Sequence, residues 1–76
     1  MRLLTRIVES VLALLEDGEL HSVHNISQEC NISKDSVKII VSFLKNFDFV
    51  EVDETSENVK INQVFLTFLR SLKELE

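Results

Sequence analysis

Residues 22–46, SVHNISQECNISKDSVKIIVSFLKN, read as two short helices joined by a tight turn. Ile26, Cys30, Ile32, Val37, Ile40, Val41 and Leu44 recur at the spacing that lines one inward face across both helices. Asn31 falls between them, where the backbone has to turn left-handed, a conformation Asn tolerates better than most residues. Ser33 follows as an N-cap. Its hydroxyl can accept an amide hydrogen left unpaired in the first turn, and Asp35 lies near the positive end of the helix dipole. In the second helix Ile39, Phe43 and Phe47 extend the apolar arc of Val37, Ile40, Val41 and Leu44. Lys34, Lys38, Ser42 and Lys45 share the opposite face.

Upstream, a helical wheel over residues 3–16 gathers Leu3, Leu4, Ile7, Val8, Val11, Leu12, Leu14 and Leu15 on one half of the cylinder. That stripe is wider than one neighbour requires, so the helix either lies under two others or contributes to a subunit interface. Asp17 and Gly18, the only glycine, end it. A short strand is expected around Leu20, and Ser22 is expected to cap a helix of barely two turns that buries Val23, Ile26 and Cys30. Downstream, Val50 and Val52 alternate with Glu51 and Asp53, and Val59 and Ile61 with Asn58 and Lys60, which makes a hairpin with Glu54 to Glu57 as its loop. Asn62 caps a last helix. Ile61, Phe65, Phe68, Leu72 and Leu75 follow at intervals of four, three, four and three, the pattern of a coiled-coil seam, which Val64, Leu66 and Leu69 widen towards a buried face. Packing of this helix on the first helix of the same chain competes with a dimer seam. The expected architecture is a single α+β domain over residues 1–76, mainly α, with helices at about 3–16, 22–30, 34–46 and 62–75 and a hairpin at about 49–61.

Seventy-six residues bury little interior, while 45% apolar residues and five Phe are generous for that size. The apolar surplus on both terminal helices predicts a homodimer, with Leu3, Leu4, Phe65, Phe68, Leu72 and Leu75 at its interface. The 28% of charged residues exclude a membrane protein, and no apolar run reaches the roughly 18 residues that span a bilayer. Glu9 and Glu16 interrupt the leucine-rich start and no small-residue cleavage site follows, so a cytoplasmic location is expected. The single cysteine, Cys30, cannot form an internal disulfide. His21 and His24 with Cys30 give too few ligands for a zinc site, and the two histidines are expected at the surface. No metal, cofactor or catalytic constellation is visible, and an enzyme is not expected.

The net charge of −5 is unfavourable for binding phosphates, but it is unevenly spread. Residues 1–33 hold two basic and five acidic groups, residues 47–76 three and seven, and residues 34–46 three and one. Of these three segments only residues 34–46, the second helix of the central unit, are net positive.

The run Val23, Ile26, Ser27, Cys30, Asn31, Ile32, Ser33, Ser36, Val37, Leu44, Phe49 and Val50 resembles the winged helix-turn-helix domain of small prokaryotic transcription regulators, over most of the chain. The resemblance implies a winged helix-turn-helix fold with an additional C-terminal helix, and a homodimer that reads double-stranded DNA with the helix at 34–46. Lys34, Asp35, Ser36, Lys38 and Ile39 match positions where such domains contact DNA, with Ser42 and Lys45 further along the same helix. Asp35 fits phosphate poorly, and Ile39 stands where the family commonly has a polar or basic residue. It can touch a thymine methyl, pack inside the protein or meet a protein partner. Asp48 replaces the usual glycine before the wing, and the wing tip is acidic, which leaves Lys60 as its only basic candidate. The alternative reading is a protein-interaction module without DNA contact, using the acidic wing and the apolar helix faces.

Overall fold

The three residues that leave α-helices in a left-handed backbone set the shape of the chain. The computed structural model describes residues 2–55 and 57–75, with side chains from Arg6 onward, so the expected interface positions Leu3 and Leu4 lie outside the described side chains. The elements run α1 (Arg2–Leu15), β1 (His21–Ser22), α2 (Val23–Cys30), α3 (Lys34–Asn46), β2 (Val50–Val52), β3 (Asn58–Ile61) and α4 (Gln63–Glu74). This is a mainly helical α+β fold with a small antiparallel sheet.

Gly18, Asn31 and Asp48 have φ of 77°, 55° and 60° and follow α1, α2 and α3 respectively. After α2, the Ile32 amide donates to the Ser27 carbonyl at 3.1 Å and that of Asn31 to Gln28 at 3.3 Å. After α3, Phe49 donates to Leu44 at 3.0 Å and Asp48 to Lys45 at 2.9 Å. Both are the paired bonds of a Schellman cap, which satisfy the last carbonyls of a helix while reversing the chain. The opposite ends are closed by side chains. Ser22 accepts from the Asn25 amide at 2.9 Å, Ser33 from Ser36 at 3.1 Å, and Asn62 from Val64 and Phe65 at 2.8 and 3.1 Å.

The sheet has the order β1-β3-β2. Val50 pairs with Ile61, Glu51 with Lys60 and Val52 with Val59, so Val50, Val59 and Ile61 turn inward and Glu51 and Lys60 outward. The expected hairpin thus forms, but a third strand lies on its far edge at His21–Ser22, where His21 pairs with Val59. It is later in the chain than the expected position around Leu20. The pairing ends where the Val23 amide donates to the Glu57 carbonyl at 2.8 Å, and Ser22 is at once the last residue of the strand and the cap of α2.

The buried cluster takes Val11 and Leu15 from α1, Val23 and Ile26 from α2, Val37, Ile40, Val41 and Leu44 from α3, Val50, Val59 and Ile61 from the sheet, and Leu66 from α4. Helix α4 therefore contributes one fully buried side chain, with Phe65 and Leu69 half-buried beside it. It lies against the end of α1, where Lys73 donates to Glu16 at 2.7 Å and Leu66 approaches Gly18. Val64, expected to widen the buried face of α4, points outward instead. Its position falls on the turn opposite Leu66, and α4 meets the rest of the fold along one narrow line.

His21 is not the surface group the sequence suggested. Its side chain is 12% exposed, and its Nε2 lies 3.0 Å from each Asp17 carboxylate oxygen and its Nδ1 2.9 Å from Asn25 Oδ1. A protonated imidazole can donate from Nε2 to Asp17 and from Nδ1 to Asn25 at once, so both contacts favour the charged ring. Burial opposes that charge, but the bonds to Asn25 and Asp17, with the negative charges of Asp17 and Glu19 nearby, outweigh it and raise the His21 pKa above its usual value. The Glu19 amide, then His21, hold the Asp17 carboxyl below the usual carboxylate range.

Both local structures can be tested. Asp48→Gly removes a Cβ from a left-handed position and is expected to raise stability in urea unfolding by about 0.5–1 kcal/mol; a lower midpoint would contradict the cap. A raised folded-state pKa means that the His21 contribution is complete below the unfolded-state value of about 6.5 and is lost as pH rises through the folded-state value. The difference in melting temperature between wild type and His21→Gln is therefore expected to narrow between about pH 5.5 and about pH 8.5. A difference that does not change with pH would show that folding leaves the His21 pKa unshifted.

Candidate nucleic-acid interface

Four residues in a thirteen-residue helix, Val37, Ile40, Val41 and Leu44, are committed to the core, and this orients everything else on α3. Lys34, Lys38, Ser42 and Lys45 follow one another at intervals of four, four and three residues along an exposed face. Lys38, Ser42 and Lys45 form one wall of a groove of about 250 Å³, with Val41 and Val23 in its floor and Val52 of β2 across from them. The groove is therefore bounded by α3 on one side and the hairpin on the other. Among the described residues no carboxylate lies within ion-pair distance of Lys34, Lys38 or Lys45.

The other positions carried by the resemblance divide. Asp35 is exposed in the first turn of α3, where its charge complements the helix dipole. Ser36 is half-buried, and its hydroxyl accepts from that of Ser33 at 2.9 Å, so it belongs to the cap as much as to the surface. Ile39 lies away from the lysine groove. It lines a wholly apolar hollow with Val8, Ile40 and Phe43. Lys60 is exposed on β3 directly across from Glu51, and neither residue lines the groove.

The loop of the hairpin is organised by one of its own carboxylates. Asp53 accepts from Asn58 Nδ2 at 2.7 Å, from the Thr55 hydroxyl at 3.0 Å and from the amides of Glu57 and Asn58 at 3.1 and 3.3 Å. These bonds, that from the Asn58 side chain first, hold its pKa below the usual value. Glu54 and Glu57 remain exposed. Acidity at the tip is thus partly structural, since Asp53 closes the turn, and partly free charge that repels phosphate.

A feature that sequence spacing did not reveal is the union of all five phenylalanines. Ring centroids are 5.0 Å apart for Phe43 and Phe47, 5.6 Å for Phe47 and Phe49, 4.2 Å for Phe49 and Phe65, and 6.5 Å for Phe65 and Phe68. The series crosses from α3 through the turn at Asp48 to α4. Residues on three elements meet in it, so no single helical or strand period could have signalled it.

The histidines and the cysteine do not converge. His21 is engaged by Asp17 and Asn25, His24 is exposed, and Cys30 is half-buried against the core, where burial and then the charge of Glu29 raise its pKa. Among the described residues no three His, Cys, Asp or Glu side chains come together as a metal site, and no helix is long and apolar enough to cross a membrane. No family model matches the chain, and no curated protein and no solved structure shows significant similarity to it.

Proposed function

We propose that the chain is a winged helix-turn-helix protein that binds duplex DNA as a homodimer through α3, as a small transcription regulator. The observation that carries this reading is the unpaired lysine row on the exposed face of α3, in a stretch, residues 34–46, with three basic groups and one acidic group in an otherwise acidic chain. The order of elements supports it, because α2, a three-residue turn and α3 are followed directly by a hairpin that borders the lysine groove. Lys34, Lys38 and Lys45 would neutralise phosphates, and Ser42 would donate to one. The acidic loop keeps the hairpin tip off the duplex, so binding rests on the helix and is modest in affinity and steep in salt.

A second reading, a module that binds protein rather than DNA, is favoured by the position of Ile39. It stands in the apolar row with Phe43 rather than beside the lysines.

Duplex binding measured across a salt series separates the two. Wild type is expected to bind at low salt with an affinity that falls linearly on a log–log scale, and Lys34→Ala/Lys38→Ala to reduce the slope by about 2, one released counterion for each phosphate that a lysine neutralises. The absence of binding at low salt, or an unchanged slope in the double variant, would contradict the lysine-face mechanism.

A further inference from the structure

From the geometry of the phenylalanine series we infer that the surface across α3, the Asp48 turn and α4 is the face on which a second copy of this chain docks, in an isologous dimer that leaves both lysine grooves uncovered. The inference rests on the homodimer part of the proposed function and is independent of whether DNA is the ligand.

Six side chains form the outer rim of this face. Ile39, Phe43 and Phe47 of α3 and its C-terminal turn are 71%, 52% and 56% exposed, and Val64, Phe68 and Leu72 of α4 are 79%, 55% and 42% exposed. Phe49 and Phe65, half-buried between the two groups and 4.2 Å apart at their centroids, make the patch continuous. At about 150–200 Å² for a fully exposed side chain of this size, the six leave roughly 600 Å² of apolar surface in water. That is at or beyond the largest patch a typical monomer exposes, about 300–600 Å². It also matches the roughly 600–1,000 Å² that each partner contributes to a stable interface.

Charge selects the occupant. A net charge of −5 sets two copies to repel wherever acidic surfaces face each other. The hollow between Phe47, Phe49, Val64, Phe65 and Phe68 has Asp48 as its one charged lining residue, and the hollow beside Ile39 and Phe43 has none. An apolar face with a single charge at its turn is largely complementary to itself, which an isologous contact requires, because the same patch must serve both partners. Nucleic acid would find no cation in these two hollows. Exposed aromatic rings side by side also gain from each other's edges and faces when a second set interleaves with them.

The surface has consequences for α3. Ile39 and Phe43 point to one side of the helix and Lys38, Ser42 and Lys45 to the other, so docking through the first row does not occlude the second.

The test is solution mass by sedimentation over a protein concentration series, for wild type, Phe47→Lys/Phe68→Lys and Lys34→Ala/Lys38→Ala, with helical content checked by circular dichroism. Expected are a dimeric wild type, a monomeric phenylalanine variant of unchanged helicity, and a dimeric lysine variant. A wild type that is monomeric at every concentration would overturn both the homodimer and this face. A phenylalanine variant that is folded and still dimeric would overturn the face alone and leave the homodimer standing. Should that variant fail to fold, a dilution series of wild type followed by amide resonances gives the answer without substitution. Concentration-dependent shifts centred on residues 39–49 and 64–72 support the face, and shifts confined to other elements overturn it.

Discussion

The burial of Val37, Ile40, Val41 and Leu44 in one cluster with side chains of α1, α2, β2, β3 and α4 is the constraint from which the remaining structure follows. A helix of thirteen residues has a limited circumference, and once about a third of it faces the core, two flanks are left in solvent. In α3 these flanks differ in chemistry. One presents Lys34, Lys38, Ser42 and Lys45, and the other presents Ile39 and Phe43 and continues through Phe47. The core contact fixes the rotation of the helix about its axis, and with it which flank looks towards the hairpin and which towards α4. A shift of the core register by one residue would turn the lysine row away from the hairpin side of the molecule.

The turn at Asp48 links the two flanks to the rest of the chain. Its left-handed backbone closes α3 with paired hydrogen bonds and immediately places Phe49 in contact with Phe65, while the Asn62 amide donates to the Phe49 carbonyl at 2.9 Å. The same short segment therefore ends the helix, starts the hairpin and anchors the beginning of α4. Aspartate accepts this conformation at a modest cost that glycine would avoid. Elsewhere the carboxylates serve local structure as well: Asp53 holds the hairpin loop, and Asp17 holds His21 between α1 and α2. Part of the acidity of the chain is thus consumed in turns, and the exposed surface of α3 stays positive against that background.

Local signals were legible in the residues. Serine and asparagine before helices, Gly18 and Asn31 after them, and strict alternation through Val50, Val52, Val59 and Ile61 each act over a few positions, so most elements and their ends could be placed from the chain alone. What depends on distant partners could not. A short strand near Leu20 is expected from the sequence, but its place at His21–Ser22 depends on the edge that β3 offers, and two residues carry no period of their own. The burial of His21 follows from Asp17 and Asn25 meeting across a turn. The spacing of Phe65, Phe68, Leu72 and Leu75 signalled an apolar seam, but not that α4 would spend only Leu66 fully on the core and leave that seam to join the α3 phenylalanines. Of the candidate site, the lysine row was readable from helical spacing, whereas the groove it lines needed Val52 and Val23 from other elements.

In the proposed function and its extension, α3 divides its two solvent flanks between two partners, nucleic acid on the lysine side and a second copy on the phenylalanine side. Amide resonances of the protein, held at constant concentration and titrated with duplex DNA at low salt, address both sides at once. Shifts are expected at Lys34, Lys38, Ser42 and Lys45, with Phe47, Phe68 and Leu72 unmoved. Shifts centred on the phenylalanine face, or none on the lysine row, would contradict this division of α3.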